Sequence, residues 1–521
     1  MQLTDHSLRQ IDASYLERLD EAAVRLLAGK LLHDLKESRE RLNQTSQNSS
    51  LPPSREDPWK KSPSEATPAD APPVQDEDPV DERSSTADST PDSDEAAPVT
   101  SAKSEVQQKR AGKVKGTPGH GRPAPERVDA VEYHRLTACA GCGAELADHQ
   151  RQMYTGYYEA DWVREKSGRV VRITHHLFEA GACHCGHVTR AAPYRGIEDD
   201  IPIGGFRLVG PDLASLIVAL SLRFRLSRQR IQAFIDEWLG IWIGTGTIHN
   251  TLAEAAVIVA PLEQELVDGI LQSDLLHADE TPWPEQGASA LWLWVFITSR
   301  VVLYYISHRG RELVRNLLDG FAGVLMSDGW QAYRFLVQRL RCWAHLKRKA
   351  QGLSESFNPA AQSFGREILA LWNELWEAVQ KAREGPPGQS LRPEWELRLR
   401  EFRVHCEKMR GNPHAKTHQL AVEFLNDWEA IFAVLENPLW PLTNNEAERA
   451  LRQWVILRQI SHGTRTPRGS RHFALLASVI DTCRLRGHSP WEYLQTAITR
   501  RRQGLSPVSY THLTLPTNRE V

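Results

Sequence analysis

The segment from Leu275 to Trp330 constrains this chain more than any other. It opens Leu275-Leu-His-Ala-Asp279-Glu-Thr, a short apolar run closed by a carboxylate. Two apolar runs follow, Leu291–Thr298 and Val301–Ser307, each of the length expected for a buried strand. Glu312–Phe321 then reads as a helix, and Gly323–Met326 as a further strand running into Ser327-Asp328-Gly-Trp. If the first and last of these strands are neighbours, Asp279 and Asp328 face one crevice. Two adjacent carboxylates repel unless a proton or a cation sits between them. Hard oxygen ligands favour Mg²⁺ (or Mn²⁺), which binds through one or two carboxylates plus substrate phosphate. Each Asp alone also fits an ordinary strand end or turn, Asp328-Gly329 being a common turn pair.

Three strands, a helix and a fourth strand, with an Asp closing the first and the fourth, predict an RNase H-like sheet. Two later motifs carry related chemistry. Arg341-Cys-Trp-Ala-His345-Leu-Lys347-Arg348-Lys349 surrounds a His with four cations, which suits contact with phosphodiester oxygens. A buried His on an amphipathic helix fits the same residues. Thr443-Asn-Asn-Glu446-Ala-Glu448-Arg449-Ala-Leu-Arg452 reads as a helix start, with acids placed to complement the helix dipole. Glu446 and Glu448 point to different sides of that helix, so at most one joins a given site.

The remainder divides by composition. Residues Ser14–Gln44 read as one amphipathic helix. Residues Gln47–Ala102 are rich in Ser, Pro, Asp and Glu and hold too little apolar surface to fold. From Ser54 to Ala102 there are thirteen acidic residues against four basic ones, so the overall net charge of −3 hides a mildly basic body. Residues Lys103–Arg127 carry seven Lys/Arg against two Glu, an arm suited to phosphate or simply a solvated linker. Cys139-Ala-Gly-Cys142 and Cys183-His-Cys185 offer four thiolates for a structural Zn²⁺ site, although the second pair is tighter than Cys-X-X-Cys. His184 or His187 could replace one sulfur, and free buried cysteines are the plain alternative. Between Pro211 and Ala256 three short helices are expected, of which the last two could form a helix-turn-helix with the third as reader, with core helices as the rival reading. Tyr333–Leu435 reads as mostly helical. No run of about 18 apolar residues exists to span a bilayer, and the N-terminus lacks an apolar signal region. Seven Cys are too few for a disulfide scaffold, so the chain reads as cytoplasmic. Val508–Thr517, VSYTHLTLPT, reads as translated sequencing-adapter DNA and is kept out of the fold argument.

Taken in order, these motifs resemble the large transposase of the IS-sixty-six family of bacterial insertion sequences. The resemblance runs from about Leu16 to Leu494. It includes Gln47-Asn-Ser-Ser-Leu-Pro-Pro-Ser54, Gly119-His-Gly-Arg122, both Cys pairs, His277-Ala-Asp279-Glu-Thr281-Pro, Ser327-Asp328-Gly-Trp-Gln-Ala-Tyr333, Cys342-Trp-Ala-His345 and Thr443-Asn-Asn-Glu-Ala-Glu448-Arg449. It implies a multidomain α/β protein with an RNase H-like catalytic core that carries a helical insertion. With it the expected division is a leucine-zipper-like helix (1–46), a disordered acidic then basic linker (47–128), a small zinc-binding domain (129–195) and a helical region that could hold a DNA-binding helix-turn-helix (205–271). A DDE catalytic domain (272–460, insertion about 335–440), a C-terminal helical segment (461–506) and the adapter-like tail (507–521) complete it. The resemblance places the catalytic, metal-binding triad on Asp279, Asp328 and Glu448, with two Mg²⁺ ions, and Zn²⁺ on Cys139, Cys142, Cys183 and Cys185. His345, Lys347, Arg348, Arg449 and Arg452 would contact nucleic acid. The expected activity is cleavage and transfer of DNA strands at terminal inverted repeats. Target DNA, a homo-oligomer and accessory transposition proteins are the expected partners, at the bacterial nucleoid and with no membrane. The alternatives are a catalytically silent zinc/DNA-binding derivative, and an RNase H-like nuclease without strand transfer.

Overall fold

The computed structural model describes residues 15, 18–42, 44 and 48, and residues 124–507 and 509 apart from 167, 289 and 386–388. The acidic linker, nearly all of the basic arm and nearly all of the adapter-like tail lie outside the described residues.

The first described helix, α1 (Glu21–Leu42), starts later than the apolar pattern predicts. Asp20 accepts a hydrogen bond from the Ala23 N–H at 2.7 Å, so it caps the helix and sets its start. Near its end, Glu40 accepts from the Ser356 hydroxyl at 2.6 Å and the Phe357 N–H at 3.1 Å. Val24, Leu26, Leu31, Leu32 and Leu35 stay exposed along it.

A long antiparallel hairpin, β2 (Arg151–Glu165) and β3 (Gly168–Ala182), carries the cysteine segment. The short β1 (Ala130–His134) lies parallel to β3, and β4 (Val188–Arg190) pairs antiparallel with the end of β3. A small β5–β6 ribbon (Arg195–Glu198, Ile201–Gly204) follows.

The expected helices come next: α2 (Pro211–Val218) running into a π turn, α3 (Arg228–Leu239), α4 (Thr245–Val259) and α5 (Leu262–Leu271). Most of α4 from Ala253 to Val259 is buried, while Gly246, His249 and Asn250 near its start are exposed.

The second sheet is built from β7 (Leu275–Trp283), β8 (Leu291–Ile297), β9 (Val302–His308), β10 (Val324–Ser327) and β11 (Arg339–Arg341), in the order β11-β10-β7-β8-β9. β7, β8 and β9 form an antiparallel meander. After α6 (Arg311–Leu317) the chain crosses over, so that β10 runs parallel to β7 and β11 parallel to β10. Period-two burial explains why these runs are strands. Leu293, Val295 and Ile297 pack with α12 (Asn445–Ser461) and α13 (Pro467–Leu485) on one face. Trp294 and Phe296 pack with α5 and α6 on the other. β7 continues four residues beyond Asp279, so this Asp sits within the strand and not at its end. The continuation is held by β8, with Thr281 opposite Leu293 and Trp283 opposite Leu291.

Helices α7 (Trp343–Ser354), α8 (Pro359–Glu384), α9 (Arg392–Met409), α10 (Ala415–Asn426) and α11 (Trp428–Phe432) enclose their own core around Trp343, Phe364, Phe402 and Phe424. The expected insertion range of about 335–440 therefore includes β11, which pairs with the sheet. Helix α14 (Pro490–Arg502) closes the described chain. Among the described residues, no helix is long and apolar enough to cross a membrane.

Candidate functional site

Pairing of β10 with β7 sets Met326 opposite His277. Continued by two residues, that register brings Asp328, just past β10, level with Asp279. Asp279 is opposite Val295 on β8, which places its side chain on the sheet face covered by α12. Its Oδ1 accepts the Glu280 N–H at 2.9 Å, and Asp328 Oδ1 accepts the Trp330 N–H at 3.0 Å. Burial, followed by the neighbouring charges of Asp328 and Glu280, holds the Asp279 carboxyl well above the usual carboxylate range. Among the described residues, no ion pair reaches Asp279 or Asp328.

Glu448 comes to the same place on α12. Asn444, at the head of that helix, does not cap it with its side chain. Instead its Nδ2 donates to the Ala278 carbonyl at 2.8 Å, and its Oδ1 accepts from His277 Nδ1 at 3.0 Å. Asn444 is 1% exposed, so these two hydrogen bonds are sealed from water. One turn from the other end, Arg458 donates to the Thr281 hydroxyl at 2.9 Å. The helix is thus fastened along β7. The Glu448 carboxylate lies 3.4 Å from Arg348 Nη2 and 3.8 Å from His345 Nδ1. Its pKa is raised by burial, against the opposing Arg348 charge and with the repulsion of Asp328.

His345 and Arg348 both lie on α7 beside Glu448. Burial first, then Arg348, pushes the His345 imidazole down to about 4, and its Nδ1 is a buried atom without a hydrogen-bond partner. The other cations of this motif are committed elsewhere. Arg341 is 2% exposed and pairs with Asp427 and Glu423, and Lys349 bonds Glu423 at 2.7 Å. Lys347 lies over the Trp372 ring, 5.6 Å from its centroid. Arg449 pairs with Glu446 on the exposed side of α12, and Arg452 is exposed there too. The structure therefore gathers Asp279, Asp328, Glu448, His345 and Arg348, and leaves Lys347, Arg449 and Arg452 at the periphery.

One neighbour of the site went unnoticed in the sequence. Glu280 points to the opposite face, accepting from Arg309 at 2.7 Å and from the Tyr333 hydroxyl at 3.2 Å. Burial first, then Asp328, pushes its carboxyl up to about 7. The available signal was its position directly after Asp279, together with Tyr333 in the Ser327–Tyr333 motif.

The four predicted zinc ligands also meet. Cys139 Sγ lies 3.7 Å from Cys185 Sγ, and Cys142 Sγ 3.6 Å from Cys183 Sγ. All four sulfurs fall within 4.8 Å of one another. Four sulfurs about 2.3 Å from one tetrahedral ion would be separated by about 3.8 Å, so the donor set fits Zn²⁺. Backbone N–H groups of Cys142 and Gly141 help push the Cys139 thiol down to about 6. The sulfurs of Cys185 and Cys183 outweigh an Ala144 N–H and push Cys142 up to about 12. The tight Cys-X-Cys pair is accommodated because a turn of positive φ at Gly186 follows it.

The sequence pattern described as "Transposase IS66 family" matches residues 207–472, just over half of the chain. The chain belongs to the IS66 transposase family. Relatives include the uncharacterized protein y4qI of Sinorhizobium fredii, 26% identical over 321 residues, covering 54% of this chain and 57% of the relative. Proteins y4jD and y4hP of the same organism are 25% and 22% identical, covering 75% and 73% of this chain and 80% and 73% of theirs. This chain thus spans little more than half the length of the first of these relatives. The segment shared with the IS66 family holds Asp279, Asp328, His345, Arg348 and Glu448. The four cysteines precede it.

Proposed function

We propose that this IS66-family protein is a DNA transposase with an RNase H-like core, cleaving and joining strands at the terminal inverted repeats of an insertion sequence. The observation that carries the reading is the meeting of three acids from three elements: Asp279 on β7, Asp328 after the parallel β10, and Glu448 on the helix fastened across β7. The strand order β11-β10-β7-β8-β9, with an antiparallel meander joined to parallel strands, supports the core assignment.

The three carboxylates fit Mg²⁺ or Mn²⁺, since among the described residues no ion pair reaches Asp279 or Asp328, and burial opposes ionisation of Asp279 and Glu448. When bound, a pair of such ions supplies charge to the attacking and leaving oxygens of a phosphodiester. The protein's own part is positioning. Asn444 and Arg458 hold α12 against β7, and Arg348 steadies Glu448. The neutral His345 offers a ring nitrogen beside the crevice. Arg449 and Arg452 lie outward on α12, where DNA phosphates would pass. The cysteine module, the α2–α5 region and the basic arm contribute end recognition. The exposed apolar residues of α1 join protomers so that two ends are held together.

Asp279→Ala and Asp328→Ala should each abolish Mg²⁺-dependent cleavage of end-containing DNA while DNA binding persists. Wild-type cleavage rates in either variant would remove the site assignment. Cleavage without strand joining in the wild type would favour the nuclease reading.

A further inference from the structure

The cysteine-bearing sheet holds a second group of ligand-type side chains, away from its thiols. β1 pairs with β3 so that Glu132 lies opposite His176 and His134 opposite Phe178. Glu132, His134 and His176 therefore share one face of two adjacent strands. His134 Nε2 is 3.0 Å from His176 Nδ1, and a Glu132 carboxylate oxygen is 3.3 Å from the same Nδ1. All three ligand atoms fall within 4.8 Å of one another.

Two observations distinguish this group from a casual surface pair. First, the spacing suits a metal: ligand atoms about 2.0–2.1 Å from a tetrahedral ion lie about 3.3 Å apart. Second, His176 is only 8% exposed, and its other ring nitrogen, Nε2, is buried without a hydrogen-bond partner. The Glu159 carboxylate stands 3.9 Å from that Nε2. A histidine that binds metal through one nitrogen presents N–H at the other, usually to a carboxylate that fixes the ring. Glu159 stands beside that nitrogen, just beyond hydrogen-bond reach. Phe178, stacked on His134 at 4.2 Å, and Tyr157, stacked on His176 at 4.8 Å, hold both rings in plane.

We propose that Glu132, His134 and His176 form a second divalent transition-metal site, separate from the four cysteines, with Glu159 as the carboxylate that orients His176. Two imidazoles and one carboxylate suit Zn²⁺, Co²⁺ or Ni²⁺ and leave a position for water. The ion would fasten β1, a five-residue edge strand, to the long β3.

The test is titration of the metal-free, reduced full chain with Co²⁺, in an Asp279→Asn background so that the carboxylate crevice does not compete. Two equivalents are expected: one with intense thiolate-to-cobalt absorption, one with only the weak visible bands of nitrogen and oxygen ligands. His134→Gln and Glu132→Gln should each remove the second equivalent and leave the thiolate band. Glu132 is exposed, so its replacement keeps the sheet intact even if the histidine variant does not fold. A single equivalent in the parent chain, or a second equivalent that persists in Glu132→Gln, overturns the proposal.

Discussion

Asn444→Ala tests whether α12 is placed by the clamp described above. The change removes two buried hydrogen bonds, to His277 Nδ1 and to the Ala278 carbonyl. Each buried polar group left without its partner costs about 1–3 kcal/mol, so the expected loss is about 2–6 kcal/mol. The loss is local, because the bonds join only the head of α12 to β7. Hydrogen exchange of peptides covering residues 275–283 and 444–452 reads it directly. At about 1.4 kcal/mol per factor of ten, protection there should fall at least about thirtyfold. Peptides from helices α8 and α9 should be unchanged. Cleavage should fall about a hundredfold, the order expected when a reacting group is displaced by about 1 Å. DNA affinity should hold. Exchange within threefold of wild type in both peptides would refute the clamp, whatever happened to activity.

The remaining predictions concern charge. Arg348→Ala should lower cleavage at least about tenfold, whereas Lys347→Ala should leave it within about threefold. The Lys347 change forfeits only a surface cation–π contact worth about 0.5–1 kcal/mol. Equal defects in the two variants would show that Lys347 reaches the crevice after all. Asp481 accepts hydrogen bonds from Tyr304, Trp454 and Gln453, and burial pushes its carboxyl up to about 6 from 3.8. A carboxyl that is easier to protonate when folded stabilises most below pH 4 and loses that contribution as pH rises through 6. Stability of wild type relative to Asp481→Asn, followed by urea unfolding, should therefore fall by on the order of 2–3 kcal/mol between pH 4 and 7. A pH-independent difference would contradict the burial argument.

What could be read from the sequence followed how locally each feature is encoded. β7, β8, β9 and β10 were legible because their apolar residues are contiguous and both sheet faces are buried. β11 was not, since Arg-Leu-Arg has no strand signature. Its two arginines are neutralised by Asp427, some ninety residues later. The cysteine pairs were legible from spacing, and the structure completes the set with Cys185, with no histidine needed. Asn444 stood in a motif read as a helix start. The helix does begin there, but what the Asn side chain bonds is set by tertiary contact with β7. No local pattern could reveal that.

The motif around His345 shows the same limit and leads to the role of helices α7–α11. Four cations beside a histidine look like a phosphate site when counted along the chain. In the fold, Arg341 and Lys349 are paired with Glu423 and Asp427, which come from the end of α10 and just beyond it. A buried guanidinium without such partners would be costly, so these acids are what allow Arg341 to sit where it does. That place is beside the turn that carries Asp328. Gly329 has φ 97°, and a Cβ there would collide with the Arg341 guanidinium. The turn that aims Asp328 and the arginine packed under it therefore fit only together. Asp427 also holds Arg334 and Arg339, which flank the same turn and β11. The α7–α11 segment thus acts on the crevice through the backbone after β10, by fixing Arg341. The cation it leaves free to meet Glu448 is Arg348.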